Sequence, residues 1–179
     1  YFYGVSCSFF KQFYKSKEAL ESGIGFVFYN PSLYSEFQSS LADTYHSLEL
    51  FSKSDSLYEQ ILLQNPNNII VLNNYSYYLS LRKYNLERAK EMSKRCIDLE
   101  PDNGTYQDTY AWILYCLEDY KSALEWIKKA LKNGSNNSPV VVEHYGDILF
   151  RLGFTQEALE KWLLAKSLGS ESIILENKI

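Results

Sequence analysis

Apolar residues recur along this chain at the spacing of amphipathic helices, and the pattern is interrupted at regular intervals. Three dipeptides close such a pattern at successive intervals of 35 residues: Asn30-Pro31, Asn65-Pro66 and Glu100-Pro101. A small residue early in a second helix recurs with steps of 35, 35, 34 and 35 residues, at Ala19, Ser54, Ala89, Ala123 and Ala158. A fixed period of this length predicts stacked helical hairpins, none of which could bury its apolar face alone.

Each hairpin also carries a bulky residue followed by a small one in its first helix, at Leu41-Ala42, Tyr75-Ser76, Tyr110-Ala111 and Tyr145-Gly146. Together with the alanines of the second helices, these residues resemble the tetratricopeptide repeat family. The resemblance covers nearly the whole chain. It implies an all-α fold, a right-handed α-solenoid of about five antiparallel helical hairpins with a short C-terminal capping helix.

The register sets the expected element limits. We expect helix pairs near 3–14 and 16–28, 33–48 and 51–64, 69–82 and 85–99, 104–117 and 120–132, and 139–152 and 155–168. One domain then spans 1–179, with repeats at 1–31, 32–66, 67–101, 102–136 and 137–170 and a cap at 171–179. The cap is a short helix from Glu171 to about Asn177, started by Ser170, that covers the last hairpin.

Several residues receive packing roles in this register. Cys7 and Cys96 are assigned to small positions, where a thiol acts as a compact apolar group, whereas Cys116 faces the inner surface or its edge. Gly134 and Gly169 end the last two units in place of proline. The aromatic residues at the front would be uncovered, so we expect a fragment of a longer array or contact with a second copy: Tyr1, Phe2, Tyr3, Phe9, Phe10, Phe13 and Tyr14.

Charge and motif content narrow the function. A net charge of −4 disfavours nucleic acid as a partner. No motif predicts a cofactor, a metal site, a catalytic centre or a transmembrane segment, so we expect a protein that is not an enzyme. Glu143, His144 and Asp147 lie near one helical face and could serve acid–base catalysis. The same positions belong to the ligand-facing surface of a repeat helix, which favours binding over catalysis.

The predicted binding site is the concave groove lined by first helices. Its residues are Glu36, Asp43, His46, Asn73, Tyr77, Asp108, Trp112, Tyr115, Glu143, Asp147, Phe150 and Arg151, with Ser39 and Ser80 beside them. Relatives that bind chaperone C-termini hold the terminal carboxylate with Lys and Asn. Carboxylates stand at the comparable places in this chain, so we expect a protein or peptide partner with basic and apolar side chains, anchored on the aromatic rings.

Two alternatives remain open at this stage. One is self-association into a homo-oligomer through exposed repeat ends, and the other is glycan binding by Trp112, Tyr115 and Tyr77. The segments around Tyr75, Tyr110 and Tyr145 also look like those of Bacteroidetes-type bacterial envelope repeat proteins. That looser resemblance implies a bacterial source and a periplasmic or envelope location.

Overall fold

The computed structural model describes residues 1–170 and 172–179, in which every regular element is a helix. The chain forms two compact units, unit 1 (Tyr1–Tyr75) and unit 2 (Ser76–Ile179). The helices are α1 (Phe2–Phe9), α2 (Phe13–Ile24), α3 (Pro31–Ser47), α4 (Phe51–Gln64), α5 (Ile69–Leu81), α6 (Leu86–Leu99), α7 (Gly104–Cys116), α8 (Tyr120–Ala130), α9 (Pro139–Arg151), α10 (Thr155–Ser167) and α11 (Ile173–Glu176). The helices pair as antiparallel hairpins, so the predicted all-α hairpin fold is confirmed.

Polar residues at the turns determine where several helices begin. The side chains of Asn30, Asn103 and Asp119 accept backbone N–H bonds from the first turns of α3, α7 and α8. These bonds satisfy donors that have no partner inside the helix. Ser138 does the same for α9, whose first residue is Pro139, as the sequence predicted.

The core of unit 2 follows the predicted register. Ala89, Ala123 and Ala158 have no exposed surface, so the three occupy equivalent tight positions in successive second helices. Gly146 lies directly under the ring of Trp162, where a Cβ atom would come within 2.5 Å of the ring. Small residues therefore let the backbones of paired helices approach closely.

The predicted register is wrong in the first hairpin. The buried small residue is Ser16, which has no exposed surface, whereas Ala19 is only half-buried. The turn before Ser16 is made by Lys11, whose φ of 57° matches the 58° of Glu49 in the next hairpin. Ser16 precedes Ser54 by 38 residues instead of 35, so α1 and α2 both end earlier than the regular period predicts.

The buried small residue of α2 thus lies three residues earlier than predicted, at Ser16 instead of Ala19. The same difference means that Cys7 does not hold the small position of α1. Gly4 takes that place, since a Cβ atom there would lie 2.8 Å from the Leu20 side chain. Gly4 precedes Ser16 by 12 residues, as Ala42 precedes Ser54. Cys7 is buried one helical turn later and packs as an ordinary core side chain.

Pro31 has a different role from the one its spacing predicted. It is the first residue of α3, with Asn30 as N-cap, whereas Pro66 and Pro101 lie in turns that precede their helices. The fixed φ of proline suits a first helical position. As a result α3 is 17 residues long, compared with 13 in α5.

The ends of the last two hairpins agree with the sequence. Gly134 and Gly169 adopt φ values of 97° and 92°, a left-handed conformation that glycine adopts without steric strain.

The predicted start of the capping helix at Glu171 lies outside the described residues. In the described part α11 begins at Ile173, and Ser172, not Ser170, is its N-cap residue.

Unit 1 exposes a group of aromatic side chains. Phe2, Tyr3, Phe9, Phe10 and Tyr14 are each at least 65% exposed, whereas Tyr1 packs against Phe37 with ring centroids 5.1 Å apart.

Within the described residues, none of the helices has both the length and the apolar character needed to cross a bilayer.

Candidate functional site

Unit 2 contains a cavity of about 540 Å³ between its first helices and the C-terminal segment, residues 172–179. Five of the predicted groove residues line it: Tyr77, Trp112, Tyr115, Glu143 and Asp147. Tyr77, Trp112 and Asp147 are spaced by 35 residues and so hold one repeat position on α5, α7 and α9. The repeat period therefore brings these side chains into one row.

His144, which lines this cavity, forms a buried pair with Asp108. His144 Nδ1 lies 2.9 Å from Asp108 Oδ1, and both side chains are about nine-tenths buried. The Trp112 ring stacks on His144 at 4.0 Å and on Tyr115 at 4.8 Å, with both rings within 16° of parallel. Two rings at these distances cannot share one face, so His144 and Tyr115 cover opposite faces of Trp112.

Burial changes the acid–base properties of neighbouring groups. Desolvation, together with the negative charges of Asp108 and Glu143, raises the pKa of Tyr77 to about 12. Burial also raises the pKa of Cys116 to about 11, and its Sγ donates a 3.6 Å hydrogen bond to the carbonyl of Ser80. Both groups are therefore neutral at pH 7, and Cys116 lines the inner surface as predicted.

The acidic end of the cavity is occupied by Lys178. Its Nζ donates to Glu143 Oε1 at 2.9 Å and to Asp147 Oδ2 at 2.8 Å. The indole Nε1 of Trp162 donates to the other Asp147 oxygen at 3.0 Å. Lys178 is 20% exposed and the two carboxylates about 10%, so the three charges form a largely desolvated cluster.

Glu143 receives two further hydrogen bonds from the C-terminal end of the chain. The hydroxyls of Ser170 and Ser172 each donate to it at 3.0 Å. Burial by itself raises the pKa of Glu143, but the hydrogen bonds and charge of Lys178 and the two hydroxyls outweigh burial and leave the pKa below its ordinary value. Glu143 is thus held as a carboxylate by groups that follow α10.

Phe150 and Arg151 line a second cavity, of about 360 Å³, on the other side of Lys178. Asp147, Tyr115 and Lys178 line both cavities. Phe150 is half exposed, and the Arg151 guanidinium lies over the Tyr120 ring at 4.7 Å. Lys178 therefore separates two hollows that share one acidic wall.

The predicted groove residues of unit 1 do not lie in these cavities. Glu36 is exposed on α3, and Asp43 and His46 are half-buried one turn apart. Asp43 accepts a hydrogen bond from the Tyr58 hydroxyl, while the His46 ring lies 5.5 Å from Phe51. Asn73 is buried near the start of α5.

The structure is similar to several solved proteins over nearly its full length. A thermophilic TPR protein from Thermus thermophilus, TTC0263, aligns with a TM-score of 0.78 and 18% identity over 98% of this chain and 92% of that one. PilF from Pseudomonas aeruginosa aligns with a TM-score of 0.76 and 20% identity over 96% and 76%. MamA from Desulfovibrio magneticus RS-1 aligns at 0.71 and 13%, over 94% and 93%. This chain has the tetratricopeptide repeat (TPR) fold.

No family model and no curated protein matches the sequence, so the TPR assignment comes from the fold and the repeat. TPR proteins generally act as protein-interaction scaffolds and generally lack enzymatic activity. The similarity to Bacteroidetes envelope proteins stays a prediction, as does an envelope location.

Sequence reasoning missed Lys178, which the TPR period could have revealed. Asn73, Asp108, Glu143 and Lys178 follow one another at intervals of 35 residues, so Lys178 holds the position that a sixth first helix would give to its groove residue. In unit 2 the Lys178 ammonium lies 2.9 Å from Glu143 Oε1, the carboxylate one period earlier. An acidic residue and a lysine one period apart at a groove position are therefore the sequence signal for this ion pair.

Proposed function

We propose that this chain is a non-catalytic scaffold that binds an extended or helical peptide segment against the first helices of unit 2. The segment presents a lysine to Glu143 and Asp147 and apolar side chains to the aromatic lining. The observation that carries this proposal is the cluster itself, in which two largely desolvated carboxylates converge on one ammonium group. A buried carboxylate pair without a cation would be strongly unfavourable, so a partner that displaces Lys178 must bring a cation of its own.

The lining on both sides of the cluster supports the apolar part of the recognition. Tyr77, Trp112 and Tyr115 line one cavity and Phe150 the other. Aromatic side chains lose little conformational entropy on binding and provide large contact areas, which is why they dominate interface energetics. Asp108 contributes indirectly, because its bond to His144 fixes the ring on which Trp112 stacks.

The residues of unit 1 form a second proposed surface on first helices. Glu36, Asp43, His46 and Asn73 add acidic and polar groups there, which would suit the same basic class of partner. Because these residues line neither cavity, their contribution is separable by mutation.

One observation favours self-association as a second candidate. Five aromatic side chains near the start of unit 1 are at least 65% exposed, and exposed apolar groups concentrated in one part of a chain are typical of interaction sites. Light scattering over a concentration series tests this candidate, and a constant monomer mass would contradict it. Glycan stacking on Trp112 has less support, because a sugar would have to displace His144 or Tyr115.

A peptide array tests the main proposal. Octapeptides that differ only by Lys, Gln or Glu at one position, and by Leu or Ser at another, are probed with the full chain and with its E143Q/D147N variant. We expect Lys together with Leu to give the strongest binding, and we expect the variant to lose the Lys preference. The matched control is Glu160→Gln, which removes an exposed carboxylate on α10. A preference for Glu peptides, or one unchanged in E143Q/D147N, would refute the proposal.

A further inference from the structure

The C-terminal segment of unit 2 occupies the proposed binding site in the manner of a peptide ligand. Its helix α11 begins 34 residues after α9, at the place where another first helix of the array would start. Only four residues are helical, so the segment provides two side-chain anchors in place of a complete helix.

The first anchor is apolar. Leu175 is 1% exposed and packs in a cluster with Val142, Leu149, Ala158, Trp162 and Ala165, on the last hairpin. The partners of Leu175 in this cluster all belong to the last hairpin, so its burial holds the segment on that hairpin. Burial of a leucine is a sizeable favourable contribution to docking.

The second anchor is the ammonium group of Lys178, three residues later. It is bound by Glu143 and Asp147, and it also lies 5.8 Å from the centroid of the Trp162 ring. Charge-assisted hydrogen bonds of this kind are stronger than neutral ones. An apolar residue followed three positions later by a lysine is therefore the pattern that this surface binds in its own chain.

The surroundings of the segment are those of a ligand in a groove. Cavities of about 540 and 360 Å³ lie on either side of Lys178, and Ile174 beside it is 65% exposed. A segment that belonged only to the core would be packed on all sides without such hollows. The segment thus fills the acidic centre of the groove and leaves its flanks open.

We infer that the segment 172–179 is a displaceable self-ligand, and that the outside partner carries the same pair of anchors, an apolar residue and a lysine three positions after it. This inference rests on the proposed function and names its partner class. A partner must compete with a segment held in the same chain, whose effective concentration is on the order of millimolar. Binding in the resting protein is therefore weak until the segment is released.

The test uses the full chain and a synthetic peptide of residues 172–179, with a control peptide in which Lys178 is replaced by glutamine. The variant K178Q removes the competing ammonium group from the protein. We expect the lysine peptide to bind K178Q at least about tenfold more tightly than the unmodified chain, since the bonds released by the substitution are charge-assisted. The glutamine peptide should bind K178Q at least about tenfold more weakly than the lysine peptide does.

A second readout follows displacement directly. The chain has three tryptophans, so their indole N–H signals are separable by ¹⁵N NMR. Trp162 donates to Asp147 beside residue 178, and its signal should move when the lysine peptide binds K178Q, while that of Trp126 stays. Lys166→Gln is the control, because it breaks an exposed ion pair between α10 and Glu176 of the segment, which contributes little to docking, and leaves both anchors in place.

Three outcomes would overturn the inference: equal affinity of the peptide for both forms, the same gain in K166Q, or a Trp162 signal that does not move. If lysine peptides from the array bind with the Trp162 signal unchanged, the proposed function survives and the self-ligand does not. If the peptide of residues 172–179 behaves as expected but the array shows no lysine preference, the proposed function is contradicted while self-recognition stands.

Discussion

Gly146 provides a sharp test of the packing that defines the repeat. Replacing it with alanine would place a Cβ atom 2.5 Å from Cδ1 and Nε1 of Trp162 and 3.2 Å from the carbonyl oxygen of Ala158. Trp162 is 5% exposed, so its ring cannot move away without losing buried contacts. Such overpacking costs about 1 to 3 kcal/mol.

Two further effects enter the expected magnitude. Alanine has a higher helix propensity than glycine, which offsets about 0.5 to 1 kcal/mol. Moving the indole also weakens its 3.0 Å bond to Asp147, and a hydrogen bond to a charged acceptor contributes about 1.5 to 3 kcal/mol. We therefore expect G146A to lower the free energy of unfolding of unit 2 by about 2 kcal/mol.

Urea denaturation followed by tryptophan fluorescence measures this loss, because all three tryptophans lie in unit 2. The matched control is the same substitution in a W162L chain, where the obstructing ring is gone and Trp112 and Trp126 still report. There Gly146→Ala should be neutral or slightly stabilising. A G146A protein as stable as the parent, or an equal loss in the W162L chain, would refute the packing argument.

Two other substitutions test separate parts of the structure. Ser16→Leu should lower the free energy of unfolding of unit 1, measured by circular dichroism, by about 1 to 3 kcal/mol. Ala19→Leu should change it by under about 1 kcal/mol, because only Ser16 is fully buried. Equal effects would favour the register predicted from the sequence. K178Q should lower the stability of unit 2 by about 1 to 2 kcal/mol at pH 7. The pKa of Glu143 is below its ordinary 4.5 in the folded chain, so this stabilisation is present above that pH and is lost as pH falls through the folded value. The difference between the unmodified chain and K178Q should therefore shrink on acidification, and a constant difference down to about pH 2 would contradict the role of the ion pair.

The repeat register was predictable wherever its residues are diagnostic. Ala89, Ala123 and Ala158 recur at a regular spacing that close helix packing explains, and the structure buries all three completely. The first hairpin was mispredicted because its repeat step is longer than the others: Ser16 precedes Ser54 by 38 residues, whereas a period of 35 residues predicts Ala19. The turn residue does not explain the error, since Glu49, Lys83 and Glu118 make the same left-handed turn in hairpins that were predicted correctly.

The candidate site was predictable only as a surface. Helical periodicity placed Tyr77, Trp112 and Asp147 on first helices, and these residues do line one cavity. Which charges pair depends on contacts between repeats, and these are not local in sequence. His144 pairs with Asp108, 36 residues away, and Lys178 pairs with Glu143, 35 residues away. The three-group cluster of Glu143, His144 and Asp147 considered from the sequence is thus divided between two different partners.

A double-mutant cycle between protein and peptide tests whether the acidic centre of the groove recognises a lysine side chain. Calorimetric titration of K178Q and K178Q/D147N with the lysine and glutamine forms of the 172–179 peptide gives the coupling free energy between Asp147 and the peptide lysine. We predict a coupling of at least about 1.5 kcal/mol, in the range measured for close charge pairs at interfaces. A coupling near zero would contradict lysine recognition by this site.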